Sequence, residues 1–535
     1  MIVRYRPSVS TIYLLMLLLI GLGYLAILPI FEGFDETASF SSLRQIADAK
    51  TIPVNGKSYL DKEITDYKGP VAYSSGLPPF DGGTVYTKFF EYSELVDSYS
   101  QTYRQPHPHS PYAPSKGLNW QAQHPPLYYL LLAPLEKATD HFSFVSQFFL
   151  LRLASYLLAL AGVAFGLLAI KQSNKLGNMS PAIIGFILYP VILPMFFPEF
   201  ARIGNDSLCL FLVGLISLLL SRLLHDGYNH RLSIAIGITL GLGLLTKDFF
   251  IPIIAAIVLF LLLRMQRYRS MRESWRIILT LSPPLLIGAV WYANRAKIGG
   301  GIEINDAIRL AHHGGLIVNL REHFSLFGLA RGIAQTAVTW VWAGTWSLTR
   351  LPLIFYVPML LLVFWVIGAY LVGLRRRPLS DLEWLPVWSF IFFGGGLFYH
   401  ELISLALFGS GSTPGWYLHI LMPWVAPAIG LGICSIWQYK PARYLLVGLL
   451  SYAVLFQMIA LWAQFALFTG CATKAADKYY SFPGRTFCLV QTPQLVDRLA
   501  VLGWPVLAAI GFGGGIICAL WLLAKMLGRQ RTAVV

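Results

Sequence analysis

Hydrophobic residues in this chain come in long, nearly unbroken runs joined by short polar or basic connections, without the sustained three-to-four-residue alternation of a soluble helical protein. Twelve runs are predicted as spans: near 11–30, 145–170, 181–197, 206–224, 232–246, 249–264, 276–294, 351–374, 385–408, 417–437, 443–468 and 501–525. About 20 mostly apolar residues cross the hydrocarbon of a bilayer. Lys247 and Asp248 interrupt the 232–264 stretch and mark a turn there. The first run follows Arg4 and Arg6, is too long for the core of a signal peptide, and is followed by no clear small-x-small cleavage site before Asp35. It is therefore expected to be a retained span rather than a signal peptide.

Composition agrees with this pattern. Of 535 residues, 56% are hydrophobic and only 13% charged, which places the chain among multi-span membrane proteins. The net charge of +15 does not point to nucleic acid, because the cations sit between spans rather than in one basic domain. Lys171 and Lys175, Arg222 and Arg231, Arg264 to Arg276, Arg375 to Arg377, Lys440 and Arg443, and Lys525 to Arg531 occupy alternate connections. The positive-inside rule makes that side, and both termini, cytoplasmic. The loops 31–143, 299–350 and 468–500 are then extracytoplasmic. In that oxidising compartment Cys471 and Cys488 are expected to pair, two free thiols being the alternative. No C-x-x-C spacing occurs among the five cysteines.

Candidate chemistry gathers on the same side. Residues 29–40 (PIFEGFDETASF) end the first span and place two adjacent carboxylates, Asp35 and Glu36, just outside it. The long first loop is rich in Tyr, Pro, Ser and Gly and is expected to lie over the membrane surface rather than form a separate globular domain. Near its end, residues 119–134 (NWQAQHPPLYYLLLAP) hold too short an apolar run to span, so a re-entrant or interfacial helix is predicted. Pro125 and Pro126 suit its first turn, and His124 is presented at headgroup level.

An acidic pair after the first span, a His-Pro-Pro-Leu-Tyr-Tyr helix, RIGNDSL after the third span, GLLTKDFF and WYANRAKIGG follow one another in order over roughly residues 1–300. This pattern resembles the polyprenyl-phosphate-sugar-dependent glycosyltransferases of the GT-C fold, in the bacterial branch with protein O-mannosyltransferases and lipid A aminoarabinose transferases. The chain has Ser39 where many members carry a histidine. The resemblance implies an all-α integral membrane fold and transfer of a sugar from a polyprenyl (undecaprenyl) phosphate to an acceptor hydroxyl, with Asp35 as general base and inversion at the sugar. Glu36 is expected to orient the acceptor or hold an arginine. His124, Arg202, Lys247, Arg295 and Lys297 correspond to positions that contact the lipid phosphate or shape its site. Lys247 has Asp248 beside it, and Arg202 has Asp206 nearby, as alternative ion-pair partners.

Two further clusters fall on this side. Arg309, His312 and His313, with Arg321 and His323, could bind anionic groups of the acceptor or form an interfacial helix; adjacent histidines lack the spacing of a helical metal site. Residues 415–419 (GWYLH) could bring Tyr417 and His419 beside the lipid, although aromatic residues also favour interfaces for no specific purpose. No metal site is predicted and no cofactor is required; a divalent metal is compatible with the chemistry. The expected partners are the lipid-linked sugar, an envelope lipid, glycan or protein acceptor, and membrane lipids, in a bacterial inner membrane. The expected organisation is a catalytic module, 1–300, followed by a C-terminal membrane region, 301–535. Two other classes are weighed: an O-antigen-ligase-like or polymerase-like enzyme resting on the 299–350 loop, and a transporter or flippase. A transporter tends to hold polar groups at mid-membrane in repeated halves. Here ionisable residues gather at one rim and no repeat is evident.

Overall fold

The computed structural model describes residues 8–71, 79–80, 83–106, 110–173, 180–226, 229–268, 271–298, 314–376, 381–411, 413–474, 480–481 and 491–532. Among them, eight helices are long and apolar enough to cross a membrane: Val9–Ile27, Phe144–Gln172, Asp206–His225, Leu353–Arg375, Trp384–Phe408, Gly415–Trp437, Lys440–Phe468 and Pro505–Met526. Four shorter apolar helices, Pro181–Ile192, His230–Leu244, Phe250–Leu263 and Ile277–Ala293, fall where the remaining runs were expected. The protein is an all-α integral membrane protein.

Helices in lipid gain no hydrophobic drive from one another, so they associate where small residues let backbones touch. The helix Phe144–Ser173 packs along Asp206–Asp226, where a Cβ on Gly214 would fall 2.0 Å from the carbonyl oxygen of Gly162. Pro181–Ile192 packs against Met422–Trp437 through Gly185 and Gly430, each of which would bring a Cβ to 1.8 Å from a facing carbonyl oxygen. The first and last helices, Val9–Ile27 and Pro505–Thr532, lie side by side and join the ends of the chain.

The first loop packs on this bundle in one continuous hydrophobic core with the membrane helices. Its helix Glu36–Ala47 is buried at all 12 positions despite a largely polar sequence. That burial is possible because its polar groups are answered. Arg44 is paired with Asp61 at 3.0 Å and with Glu63 at 3.1 Å, donates to the carbonyl of Ser110, and has Asp48 and Glu136 at 3.8 and 3.9 Å. One guanidinium thus draws together the Glu36 helix, the two-stranded antiparallel sheet of Tyr59–Asp61 and Pro114–Leu118, and the helix Leu127–Ala138. This last helix has 12 residues, too few to span, and turns Leu130 and Leu131 outward.

The stretch 299–350 contains more structure than its loop-like sequence implied. Residues 299–313 lie outside the described set, but Gly315–His323 and the 16-residue Leu326–Val341 are helical. Gly328, Arg331, Gly332, Gln335 and Thr336 interrupt the apolar run of the second helix, which hid it from a hydropathy reading. Arg321 and His323 close the first of these helices, and the exposed Phe324, Leu326 and Phe327 follow it. Cys471 is disulfide-bonded, whereas its expected partner Cys488 lies outside the described residues.

Candidate active site

The turn between the first two helices is held residue by residue. Phe31 adopts a positive φ of 64° and sends its ring among Phe40, Tyr67, Phe80, Phe144 and Phe148. Glu32 is fully buried. Its carboxylate accepts from the hydroxyls of Tyr86, Thr345 and Ser347 and from the Ser347 N–H, at 2.7 to 3.2 Å. Burial pushes this carboxyl above its usual range, with the hydrogen bonds opposing. Gly33 leaves room for Arg202, whose Cβ would lie 2.6 Å from an added methyl carbon. Phe34 stacks on Trp416 with ring centroids 4.2 Å apart.

Asp35 follows in the left-handed region, φ 59°, a conformation that aspartate adopts more readily than most residues. Its half-buried carboxylate accepts one hydrogen bond, from the Trp120 indole N–H to Oδ1 at 2.8 Å, and Oδ2 accepts none from any described residue. Glu36 behaves in the opposite way. Arg152 reaches it through Nε at 2.7 Å and Nη2 at 2.5 Å, the Ile203 and Gly33 amides donate to it at 3.1 and 3.2 Å, and it is fully buried. Arg152 also caps the end of the first helix by donating to the carbonyls of Leu28 and Pro29. The two adjacent acids therefore have different surroundings: Glu36 is locked in an ion pair, and Asp35 keeps an oxygen available.

Beneath this turn lies a second charge network. Arg202 donates to the Phe34 carbonyl at 2.7 Å, to Glu199, and to Asp206 at 2.9 Å. Lys247 places Nζ 2.8 and 3.0 Å from the two oxygens of the same Asp206 and lies over the rings of Phe249 and Tyr417, at 4.2 and 4.6 Å from their centroids. Its partner is thus Asp206 from another helix, not the neighbouring Asp248, which accepts from the Tyr292 hydroxyl at 2.6 Å. Burial pushes the Glu199 carboxyl up to about 8 against the pull of Arg202. Two cations, Arg202 and Lys247, and two acids, Glu199 and Asp206, thus share one buried network beneath Asp35.

The structure brings Asp35, Glu36, Arg202, Lys247 and Tyr417 into one region and separates others from it. His419 is fully buried between spans, with Nδ1 3.0 Å from the Tyr189 hydroxyl and Nε2 3.1 Å from the Trp340 carbonyl oxygen. Both ring nitrogens are used in packing, so the expectation that it stands beside the lipid is corrected. His124 is half-buried immediately before the Leu127–Ala138 helix. Arg295 and Lys297 lie in the last turn of Met271–Ile298, but their side chains are outside the described set, as are Arg309, His312 and His313. No group of three or more metal-ligating side chains is found among the described residues. Sequence reasoning missed Glu32, Trp120, Arg152, Glu199 and Trp346. Arg152 and Glu199 carried a usable signal, since an ionisable residue inside an apolar run requires a partner.

Helices that cross the membrane around a buried charge network, with the half-buried Asp35 carboxylate beside it, define a polytopic membrane protein with a candidate active site at one end of its bundle. Residues 18–407 match the family described as predicted membrane protein (DUF2142), and the chain belongs to it. No curated protein matches the sequence. Among solved structures the chain is similar to ArnT from Cupriavidus metallidurans in the apo state, with a TM-score of 0.38, 14% identity, and coverage of 81% of this chain and 75% of that one. It is also similar to the archaeal oligosaccharyltransferase AglB from Archaeoglobus fulgidus in complex with an inhibitory peptide and a dolichol-phosphate, with a TM-score of 0.37, 13% identity, and coverage of 90% of this chain and 57% of that one.

Proposed function

We propose that this protein is a membrane glycosyltransferase that moves a sugar from a polyprenyl phosphate to a hydroxyl of an envelope acceptor, with Asp35 as general base. The observation that carries the reading is the asymmetry of the acidic pair: Glu36 is consumed by Arg152, while Asp35 offers Oδ2 at the membrane rim. In the reaction, Asp35 takes the acceptor hydroxyl proton as that oxygen bonds to the anomeric carbon. The bond from that carbon to the phosphate oxygen breaks, and the polyprenyl phosphate leaves with the electron pair. Attack opposite the phosphate inverts the anomeric centre. The Arg202 and Lys247 cations of the buried network lie near the same rim and favour the departing anion, an electrostatic contribution that strengthens away from water.

Arg202 and Lys247 are already committed to carboxylates, so direct contact with the phosphate falls to other groups. Arg295 and Lys297, at the end of the seventh predicted span, are the cations of the sequence pattern best suited to it. His124 supplies hydrogen bonding near the same rim. Basic connections on the opposite face support a cytoplasmic location for the termini and an extracytoplasmic site in a bacterial inner membrane. The test is mass spectrometry of envelope lipids, glycopolymers and glycoproteins from cells carrying the native chain, Asp35→Asn or a deletion. A sugar mass present only with the native chain, at equal protein level, supports transfer and names the acceptor. A native profile in Asp35→Asn cells, set against a changed profile in the deletion, moves the chemistry away from Asp35.

A further inference from the structure

The two tryptophans of the 342–346 segment differ in kind. Trp342 is fully buried and donates its indole N–H to the Thr349 carbonyl at 2.9 Å, as a packing tryptophan does. Trp346, four residues on, is only half-buried, and so is Trp120. The two indoles lie within 20° of parallel with centroids 6.4 Å apart, and the Trp120 ring is tethered by its N–H to Asp35 Oδ1. Trp346 also faces Phe34 at 6.3 Å, and Phe34 stacks on Trp416. A band of rings therefore begins at the candidate base.

Its position is enforced by an unusual device. The Trp346 N–H donates to the Glu32 carbonyl at 2.8 Å, while the residues on either side, Thr345 and Ser347, bind the Glu32 carboxylate. Burying a carboxylate is costly, and this one is answered by groups from the 345–347 segment and by Tyr86. Apolar contact alone would suffice to cover the turn. The carboxylate instead fixes one segment in register, and that register sets Trp346 against Trp120.

We propose that Trp120 and Trp346 form the wall on which the pyranose ring of the donor lies, with Asp35 at its edge. A pyranose presents an apolar face of C–H groups and a rim of hydroxyls, which suits flat indole surfaces next to a hydrogen-bonding carboxylate. The fit also orients the anomeric carbon relative to Asp35. Trp346 is a binding residue of this subsite and Glu32 a positioning residue behind it. The inference rests on the glycosyl-transfer reading and assigns the sugar-holding part of that site.

The test compares lipid binding to the full-length protein in nanodiscs by calorimetry. The probes are undecaprenyl phosphate alone and the same carrier bearing glucose, mannose, N-acetylglucosamine or aminoarabinose. The native protein is expected to bind at least one glycosylated carrier more tightly than the bare one. Trp346→Leu should erase that increment by about tenfold, the scale of one aromatic contact with its buried area, and leave bare-carrier affinity unchanged. Trp346→Tyr should retain most of it. An undiminished sugar increment in Trp346→Leu overturns the wall while leaving glycosyl transfer standing. Equal loss of both carriers makes Trp346 a purely structural residue and also overturns it. Native protein that prefers no glycosylated carrier overturns the glycosyl-transfer reading itself, and the wall with it.

Discussion

Arg152 grips Glu36 through two nitrogens, at 2.7 and 2.5 Å, and at the same time caps the carbonyls that end the first membrane helix. The pair ties the turn that presents Asp35 to a helix more than a hundred residues later in the chain. It gives the second acid a structural task and leaves the first available for chemistry.

Asp35→Asn preserves the hydrogen bond from Trp120 and the shape of the turn, because an amide oxygen also accepts. Turnover is expected to fall by about 10² to 10⁴, the usual worth of a general base, while lipid-donor affinity stays near native. Single-turnover transfer alongside equilibrium binding separates the two, and unchanged turnover would remove Asp35 from the mechanism.

Breaking the buried pair from one side should be worse than removing it whole. Arg152→Met leaves the Glu36 charge uncompensated and is expected to cost about 3 to 5 kcal/mol, whereas Arg152→Met combined with Glu36→Leu should recover much of that loss. Thermal unfolding in one detergent, compared across native, single and double variants, checks the order. A double variant no better than Arg152→Met would refute it.

Gly33→Ala places a methyl carbon 2.6 Å from the Arg202 Cβ and 3.0 Å from the Glu36 carboxyl carbon. Backbone must shift to admit it, in the one turn that carries Asp35. The expected result is a lower melting temperature, by an amount corresponding to about 1 to 3 kcal/mol of overpacking, together with reduced activity. A variant with native melting and native activity would show that the turn is softer than its contacts imply.

Stability should depend on pH through Glu136. Burial raises its carboxyl from 4.5 to about 7, with Arg44 pulling the other way. Between those values the folded protein holds a proton that the unfolded chain releases, so stability is greatest on the acid side and is lost as pH rises through about 7. Glu136→Gln cannot titrate and should flatten the profile by roughly 1 to 3 kcal/mol over that window. Chemical denaturation of both proteins across the range is the measurement; parallel profiles would exclude this contribution.

Much of the fold was readable because lipid imposes a simple rule: a span must be long, apolar and helical. The eight long helices and four shorter ones follow the hydrophobic runs closely. Leu326–Val341 escaped because glycines and polar residues break its apolar run, and its helicity depends on neighbours rather than on composition. The acidic pair was visible at the end of the first span, yet nothing in residues 35 and 36 says which acid is locked and which is open. That distinction comes from Arg152 and Trp120, one inside a span and one in the first loop.

The sequence by itself determined the membrane architecture, the helical first-loop segment after Pro126, and the side on which ionisable groups collect, since each depends on local hydrophobicity and charge. Tertiary structure alone decided the partners of those groups. Lys247 met Asp206 rather than its neighbour Asp248, His419 disappeared into packing, and Glu32 emerged as the residue that sets Trp346. The physical reason is that a buried charge or polar ring must be satisfied in three dimensions, and the groups able to do so are brought together by helix packing, not by proximity along the chain.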